Sequence, residues 1–208
     1  AGKKGKSGAI NRKGEIVIPF IYDKLDYFYA SGLAIVKKDG KFGFVNEVGE
    51  EIIPIVYKEV DQSMVDEIVL VSKDKKWAFF SNNGKQLTNF QYDKVIDIPV
   101  SNEKTHYSTY FKGGLAIVYF ENKPLLINKN MQVIVPVGKY DYIESLNKNG
   151  FGIVAKNNKY GIIDNKGYEI IGLEYDKIEH PKRYSNILEL FVLKKNGTYQ
   201  IFDENIKP

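Results

Sequence analysis

The sequence predicts an all-β protein, a tandem array of five four-stranded antiparallel repeats plus a partial sixth, each of about 35 residues and set like propeller blades. Three observations predict it. The block Lys38 to Val60 is rewritten along the chain with small edits. The runs inside each copy are short, β-branched or aromatic, and bounded by turn residues. No segment sustains a helical period.

Four marks measure the repeat. A small residue after an aromatic falls at Gly8, Gly43, Ala78, Leu125 and Gly161, and a turn residue at Gly14, Gly49, Gly84, Met131 and Gly167. A tyrosine falls at Tyr22, Tyr57, Tyr92, Tyr140 and Tyr175, and an apolar residue at Val36, Val71, Val118, Val154 and Leu193. The first mark recurs at spacings of 35, 35, 47, 36 and 39, the last reaching Gln200 in the tail Thr198 to Asp203. The units are approximately 3–37, 38–72, 73–119, 120–155, 156–194 and the partial 195–208, read as one domain over 1–208. Twelve extra residues between Tyr92 and Val118, four between Tyr175 and Leu193, and one near Gly138 account for every departure from 35.

Within a unit, Leu33 to Val36 and Phe42 to Val45 are joined through Asp39-Gly40, and Asn196-Gly197 stands at the last such junction. Asp-Gly and Asn-Gly between apolar runs specify a tight hairpin. Asn46 to Gly49 recurs as Asn11 to Gly14, Ser81 to Gly84 and Asp164 to Gly167, a type I turn pattern. Met131 replaces the glycine in one copy and is expected to strain or reshape that turn. The next strand, such as Glu51 to Ile53, meets Pro19, Pro54 or Pro136, which cannot donate to a ladder and mark a strand end or an edge. A fourth strand is expected near Tyr22 to Phe28 and Tyr57 to Val60. Such small sheets cannot cover their own apolar faces, so units must lean on one another in a ring or a stack. Six strands of the Gly-Phe-Val-Asn type against five of the Ala-Ile-Val-Lys type keep an open β-solenoid or superhelix as the alternative to a propeller-like set.

Composition narrows the function. The chain has 208 residues, 43% hydrophobic and 27% charged, within the range of a soluble globular protein. A net charge of +4, spread evenly, is no basic stripe, so nucleic acid is not an expected partner. Cysteine is absent, which removes disulfides and thiolate metal sites. No apolar run reaches the roughly 18 residues of a membrane helix. The chain begins Ala1-Gly2-Lys3-Lys4 without methionine, and export to the periplasm or cell surface is the expectation over the cytoplasm.

Lys41-Phe42-Gly43-Phe44-Val45-Asn46, followed by Glu51-Ile52-Ile53-Pro54 with Tyr57 three residues on, and the Gly32 to Val36 run ahead of the unit, resemble the WG repeat, also called the KWG repeat, of bacterial proteins. The resemblance covers nearly the whole chain. The naming Trp-Gly pair is Phe42-Gly43, Trp77-Ala78 and Tyr160-Gly161 here, and Lys123 to Leu126 is the most altered copy. The resemblance implies a non-catalytic β-rich interaction scaffold without cofactor, with no catalytic residues to carry over.

Candidate chemistry is therefore sparse. His106 and His180 have no metal-like companions in sequence. Asp23, Asp93, Asp141 and Asp176 recur after the tyrosine and could line a cation site, but Lys58 breaks the series and turn-forming bonds to nearby amides explain them better. Phe42, Trp77, Tyr160 and Tyr199 read as packing wedges between units, with sugar stacking as the alternative. The binding candidates are the residues that do not repeat: Lys104, His106, Tyr107, Tyr110 and Phe111 in the long insertion, and His180, Arg183 and Tyr184 in the shorter one. Aromatic, basic and hydrogen-bonding side chains in an inserted loop suit recognition of another protein, with a carbohydrate as the alternative partner.

Overall fold

A computed structural model describes residues 2–3, 5–61, 67–95, 98–99, 108–109, 111, 114–179, 190–203 and 205–206. They contain strands and turns and no helix. Among the described residues there are seven sheets: one is the two-stranded pair Ile98–Pro99 and Ser108–Thr109 within the long insertion, and the other six, all antiparallel, follow one another along the chain, each built like a propeller blade with up to four places, a to d, filled in chain order. The second sheet is complete: Lys24–Leu25 at a, Leu33–Lys38 at b, Lys41–Asn46 at c and Glu51–Tyr57 at d. The fourth has Lys94–Val95, Leu115–Phe120, Lys123–Asn128 and Val133–Val135, and the fifth Tyr142–Ile143, Gly152–Lys156, Lys159–Ile163 and Glu169–Tyr175. The third holds Glu59–Val60, Ile68–Lys73 and Lys76–Ser81, with place d reduced to single bridges from Phe80 to Gln86 and from Trp77 to Tyr92. The first has Lys6–Ile10 at c and Ile16–Tyr22 at d, with Gly2–Lys3 beside c. The sixth has Lys177–Glu179, Phe191–Lys195 and Thr198–Phe202, at a, b and c. The first three sheets make one compact unit and the last three another.

Each sheet therefore takes places a and b from one sequence repeat and c and d from the next. The link that decides this is the b–c hairpin, which joins the end of one repeat to the start of the next through two residues. Its two central residues have positive φ in each of the five copies where both are described: Asp39 (51°) and Gly40 (76°), Asp74 (51°) and Lys75 (65°), Glu121 (49°) and Asn122 (59°), Asn157 (49°) and Asn158 (60°), Asn196 (50°) and Gly197 (79°). That is the type I′ geometry whose twist matches the strands it joins.

The c–d turns carry the expected Asx chemistry. Asn46 Oδ1 accepts from the backbone N–H of Val48 (3.1 Å) and of Glu50 (2.9 Å), and the Gly49 N–H donates to the Asn46 carbonyl (3.0 Å). Asn11, Asn128 and Asp164 repeat the pattern. Met131 strains its turn without reshaping it: it adopts φ 62°, and its N–H still donates to the Asn128 carbonyl at 2.9 Å.

Place d shows which proline marks an edge and which a strand end. Pro19 and Pro54 lie inside seven-residue strands, Ile16–Tyr22 and Glu51–Tyr57, and only Pro136 follows a strand end. Each of these two strands runs at the sheet edge and slips register against c, between Phe42 and Phe44 in the second sheet, so the missing N–H falls where no ladder bond is made. The slip brings the d backbone over position 43, where a Cβ on Gly43 would stand 2.7 Å from the Ile53 carbonyl oxygen. Gly8 and Gly161 face the same approach from Ile18 and Ile171, at 2.7 and 2.5 Å.

Within each compact unit the core lies between successive sheets. The second and third sheets enclose Leu33, Ile35, Phe44, Ile53, Tyr57, Val69, Val71 and Phe80. The first and second enclose Ile18, Tyr22, Ala34, Val36 and Val45. Leu126, Val135 and Tyr140 of the fourth meet Ile143, Val154 and Ile163 of the fifth, whose Tyr175 meets Ile178, Phe191 and Leu193 of the sixth. Strands b and c of the second sheet are consequently buried on both faces, Phe44 toward the third sheet and Val45 toward the first. The recurring tyrosines, all buried, are the wedges. Tyr57 sits edge-on to Phe80 at 5.9 Å and stacked on Phe90 at 5.8 Å. Phe42 and Tyr160 pack at the margins of clusters, and Trp77, at the start of its strand, is half-buried.

Two stability outcomes follow. Phe79→Ala is expected to cost about 3–5 kcal/mol in urea unfolding, with Trp77→Ala costing distinctly less; the reverse order would contradict the placement of the wedge. Met131→Gly is expected to gain about 1 kcal/mol by relieving a left-handed side-chain-bearing residue, and an unchanged or lower unfolding midpoint would contradict it.

Candidate functional site

Each sheet has two ends of different character. One end carries the b–c hairpins, the other the a–b loops and the c–d turns. The recurring aspartates belong to the hairpin end. Asp23 Oδ2 accepts from the Asp39 N–H at 2.8 Å, Asp93 from Asn122 at 3.0 Å, Asp141 from Asn157 at 2.9 Å and Asp176 from Asn196 at 2.9 Å. Their own N–H groups donate to strand b, as Asp23 does to the Lys37 carbonyl at 2.8 Å. The bonded amides lie at least 16 residues ahead, so the aspartates tie one repeat to the hairpin of the next instead of shaping a local turn. Lys58 stands where the third sheet would need this carboxylate.

Two of these carboxylates also meet lysine from strand c: Lys6 donates to Asp23 and Lys159 to Asp176. The lysine bond holds both carboxyl groups below the ordinary aspartate range, and the hairpin amide adds in the same direction. With their oxygens engaged by lysine and by amides, Asp23 and Asp176 serve the hairpin end as structural ties. Among the described residues, no cluster of three or more His, Asp or Glu side chains is arranged to hold a metal ion.

The opposite end is where the repeat varies. Both insertions enter the same slot, the loop from place a to place b. In the fourth sheet the chain leaves place a at Val95 and rejoins at Leu115, and in the sixth it leaves at Glu179 and rejoins at Phe191. Lys104, His106, Tyr107, Tyr110, His180, Arg183 and Tyr184 lie outside the described residues. Phe111 is described and buried, 5% exposed, just ahead of Leu115–Phe120. The structure thus brings the two insertions to equivalent strand ends, a relation that spacing alone left open.

The same slot in the second sheet contains a site that sequence reading missed. Tyr27 is 68% exposed, and its ring stacks, tilted, on Tyr29 at 4.7 Å. Burial raises the Tyr29 hydroxyl above the usual tyrosine range, and its bond with Tyr27 adds to the effect. The signal was present: Tyr27-Phe28-Tyr29 has no aromatic counterpart at the same offset in the next unit, which reads Gln62-Ser63-Met64. At the same end the fifth sheet exposes Tyr168 beside its c–d turn, and the second exposes Val48. In the fifth sheet's a–b loop, Asn147 folds its own turn, accepting from Asn149 (2.9 Å) and Phe151 (3.0 Å).

The sequence profile of the WG containing repeat matches residues 8–42, 42–77, 126–160 and 160–199. The unmatched interior, 78–125, contains the long insertion. No curated protein matches the sequence significantly. Among solved structures the chain is similar to Hsv2 of Kluyvelomyces marxianus, at 12% identity and a TM-score of 0.31, over 90% of this chain and 64% of that one. It is also similar to a eukaryotic initiation factor, at 11% identity and a TM-score of 0.32, over 94% of this chain and 67% of that one. The chain thus spans about two thirds of the length of each.

The aspartate ties set a pH dependence. A depressed folded pKa contributes stability that is complete above the unfolded value of about 3.9 and is lost as pH falls through the folded pKa. The thermal midpoint is therefore expected to fall on acidification below that value, and to fall less steeply in an Asp23→Asn, Asp176→Asn double variant. Parallel pH profiles for the two proteins would show that these carboxylates do not contribute.

Proposed function

The chain belongs to the WG containing repeat family, and on that premise we propose that it is a non-catalytic interaction module that binds another protein through its a–b loops. The observation that carries this reading is the shared slot. Two insertions that break the 35-residue ruler, and the exposed Tyr27 pair, all occupy the connection between places a and b. The recurring residues are engaged elsewhere. The tyrosines and strand apolars are in the inter-sheet core, and the Asx side chains hold turn amides. Recognition then falls to side chains that folding does not require, and insertions of a repeat protein characteristically supply them. The long insertion is rich in the residue types that recognition surfaces favour: His106, Tyr107, Tyr110 and Lys104 among hydroxyl-bearing neighbours.

Sugar stacking on the periodic aromatics is the weaker reading, because Phe42 and Tyr160 pack against core clusters and Lys37 lies over the Phe42 ring at 5.1 Å. The test is a paired capture experiment with the intact chain and a variant lacking residues 102–112, after matched thermal midpoints show that the variant is folded. Loss of a reproducible protein partner from the variant alone is the expected outcome. Equal capture by both chains, or by neither, would refute the reading.

A further inference from the structure

The a–b loops of the second and fifth sheets close with the same backbone turn and differ in the side chains they place on it. In the second sheet the Tyr29 N–H donates to the Leu33 carbonyl (2.9 Å) and the Gly32 N–H to the Tyr29 carbonyl (2.9 Å). In the fifth the Asn147 N–H donates to the Phe151 carbonyl (2.7 Å) and the Gly150 N–H to the Asn147 carbonyl (3.0 Å). Gly32 and Gly150 both have positive φ, 75° and 85°. The fifth sheet heads this turn with a side chain that serves it: Asn147 Oδ1 accepts from the N–H groups of Asn149 (2.9 Å) and Phe151 (3.0 Å). The second sheet has Tyr29 there, whose ring can make neither bond, and the Ser31 Oγ inside the turn is buried with no hydrogen-bond partner among the described residues. A tyrosine at this place breaks the local rule of the turn, and such breaks mark residues kept for something other than folding.

The neighbouring side chains show what the exchange provides. Phe28 packs against the core between the first and second sheets, and Tyr29 against the core between the second and third. Tyr27, just ahead of these two anchors, is 68% exposed with its ring 4.7 Å from that of Tyr29. The fifth repeat has Ser145 at the equivalent position, so the fold does not ask for an aromatic there. An exposed ring held by anchored neighbours needs little ordering when a ligand arrives.

Charge indicates which ligand suits it. The chain as a whole is +4, yet this end of the second and third sheets carries Asp26, Glu47, Glu50, Asp61 and Glu67. Lys85 is there too, and Lys24 reaches Asp26 at 2.8 Å, an exposed pair of the kind that is worth little and exchanges readily. The Tyr29 hydroxyl, raised above the usual tyrosine range first by burial and then by its bond with Tyr27, also feels the negative charges of Asp26 and Asp61. An aromatic face in a negative field favours a cation over a neutral sugar.

We propose that Tyr27, supported by Tyr29, receives an arginine side chain from a basic segment of the partner protein, the guanidinium lying over the Tyr27 ring in the field of Asp26 and Asp61. Arginine suits the place better than lysine because its planar, weakly hydrated head stacks on a ring. This deepens the reading of the a–b loops as a protein-binding surface and rests on it.

The probe is fluorescein-labelled Gly-Arg-Gly-Arg-Gly, titrated with the intact chain and followed by anisotropy. Saturable binding below about 1 mM is expected. It should weaken about fivefold when citrulline, the neutral isostere, replaces both arginines, the scale of one cation–π contact. A Tyr27→Ala variant of unchanged thermal midpoint should weaken it as much, whereas Tyr27→Phe, which keeps the ring, should bind as the parent does. No saturable binding, equal binding of the citrulline peptide, undiminished binding to Tyr27→Ala, or equal loss in Tyr27→Phe would overturn the proposal. A Tyr27-dependent response to cellohexaose in place of the peptide would overturn it in favour of a sugar platform. Residues 102–112 stay in place throughout, so failure here and failure of the capture experiment with the long insertion are separate results.

Discussion

A sheet of three or four strands of about six residues is apolar on both faces and can cover neither by itself. Every other feature of this chain answers to that constraint. Strands b and c, such as Leu33–Lys38 and Lys41–Asn46, are apolar without alternation at their centres because each face meets a neighbouring sheet. The tyrosine at the end of strand d is long enough to reach the next sheet, and Tyr57 among Phe80 and Phe90 illustrates the reach. Stability in such an array is approximately a sum over repeats and their neighbour interfaces, so the recurring spacing matters as much as any single residue.

The polar residues that recur serve the same end by a different route. Short sheets have many turns per residue, and each turn leaves amides that need acceptors. Asn11, Asn46, Asn128 and Asp164 satisfy those of the c–d turns locally. Asp23, Asp93, Asp141 and Asp176 satisfy those of the hairpins across a repeat boundary. A periodic carboxylate series that resembles a ligand site in sequence is therefore largely absorbed by the backbone. The a–b loops, with Tyr27 exposed in the second sheet, lie apart from both sets of ties.

Much of the fold is legible in the chain itself, because a repeated pattern states the same local instruction several times. Asp39-Gly40 and Asn196-Gly197 announce their hairpins, and Asn46 to Gly49 its turn. Glu121-Asn122 and Asp74-Lys75 do not announce theirs; they take the same positive φ because the strands on either side are already paired. The candidate surface is less legible. The insertions are visible as departures from the ruler, but Tyr27 escapes notice because its unit keeps the standard length, and Phe111, which reads as a loop aromatic, is buried.

What the sequence by itself determined is whatever depends on neighbours along the chain: the strands, their turns, the period and the places where it breaks. The tertiary structure alone decided which repeat a strand joins, since each sheet takes two strands from one unit and two from the next. It also decided that Asp23 bonds an amide 16 residues away and that both insertions open from the same slot. Those relations depend on strand pairing and on side chains meeting across sheets, contacts between residues far apart in sequence whose partners no local pattern names.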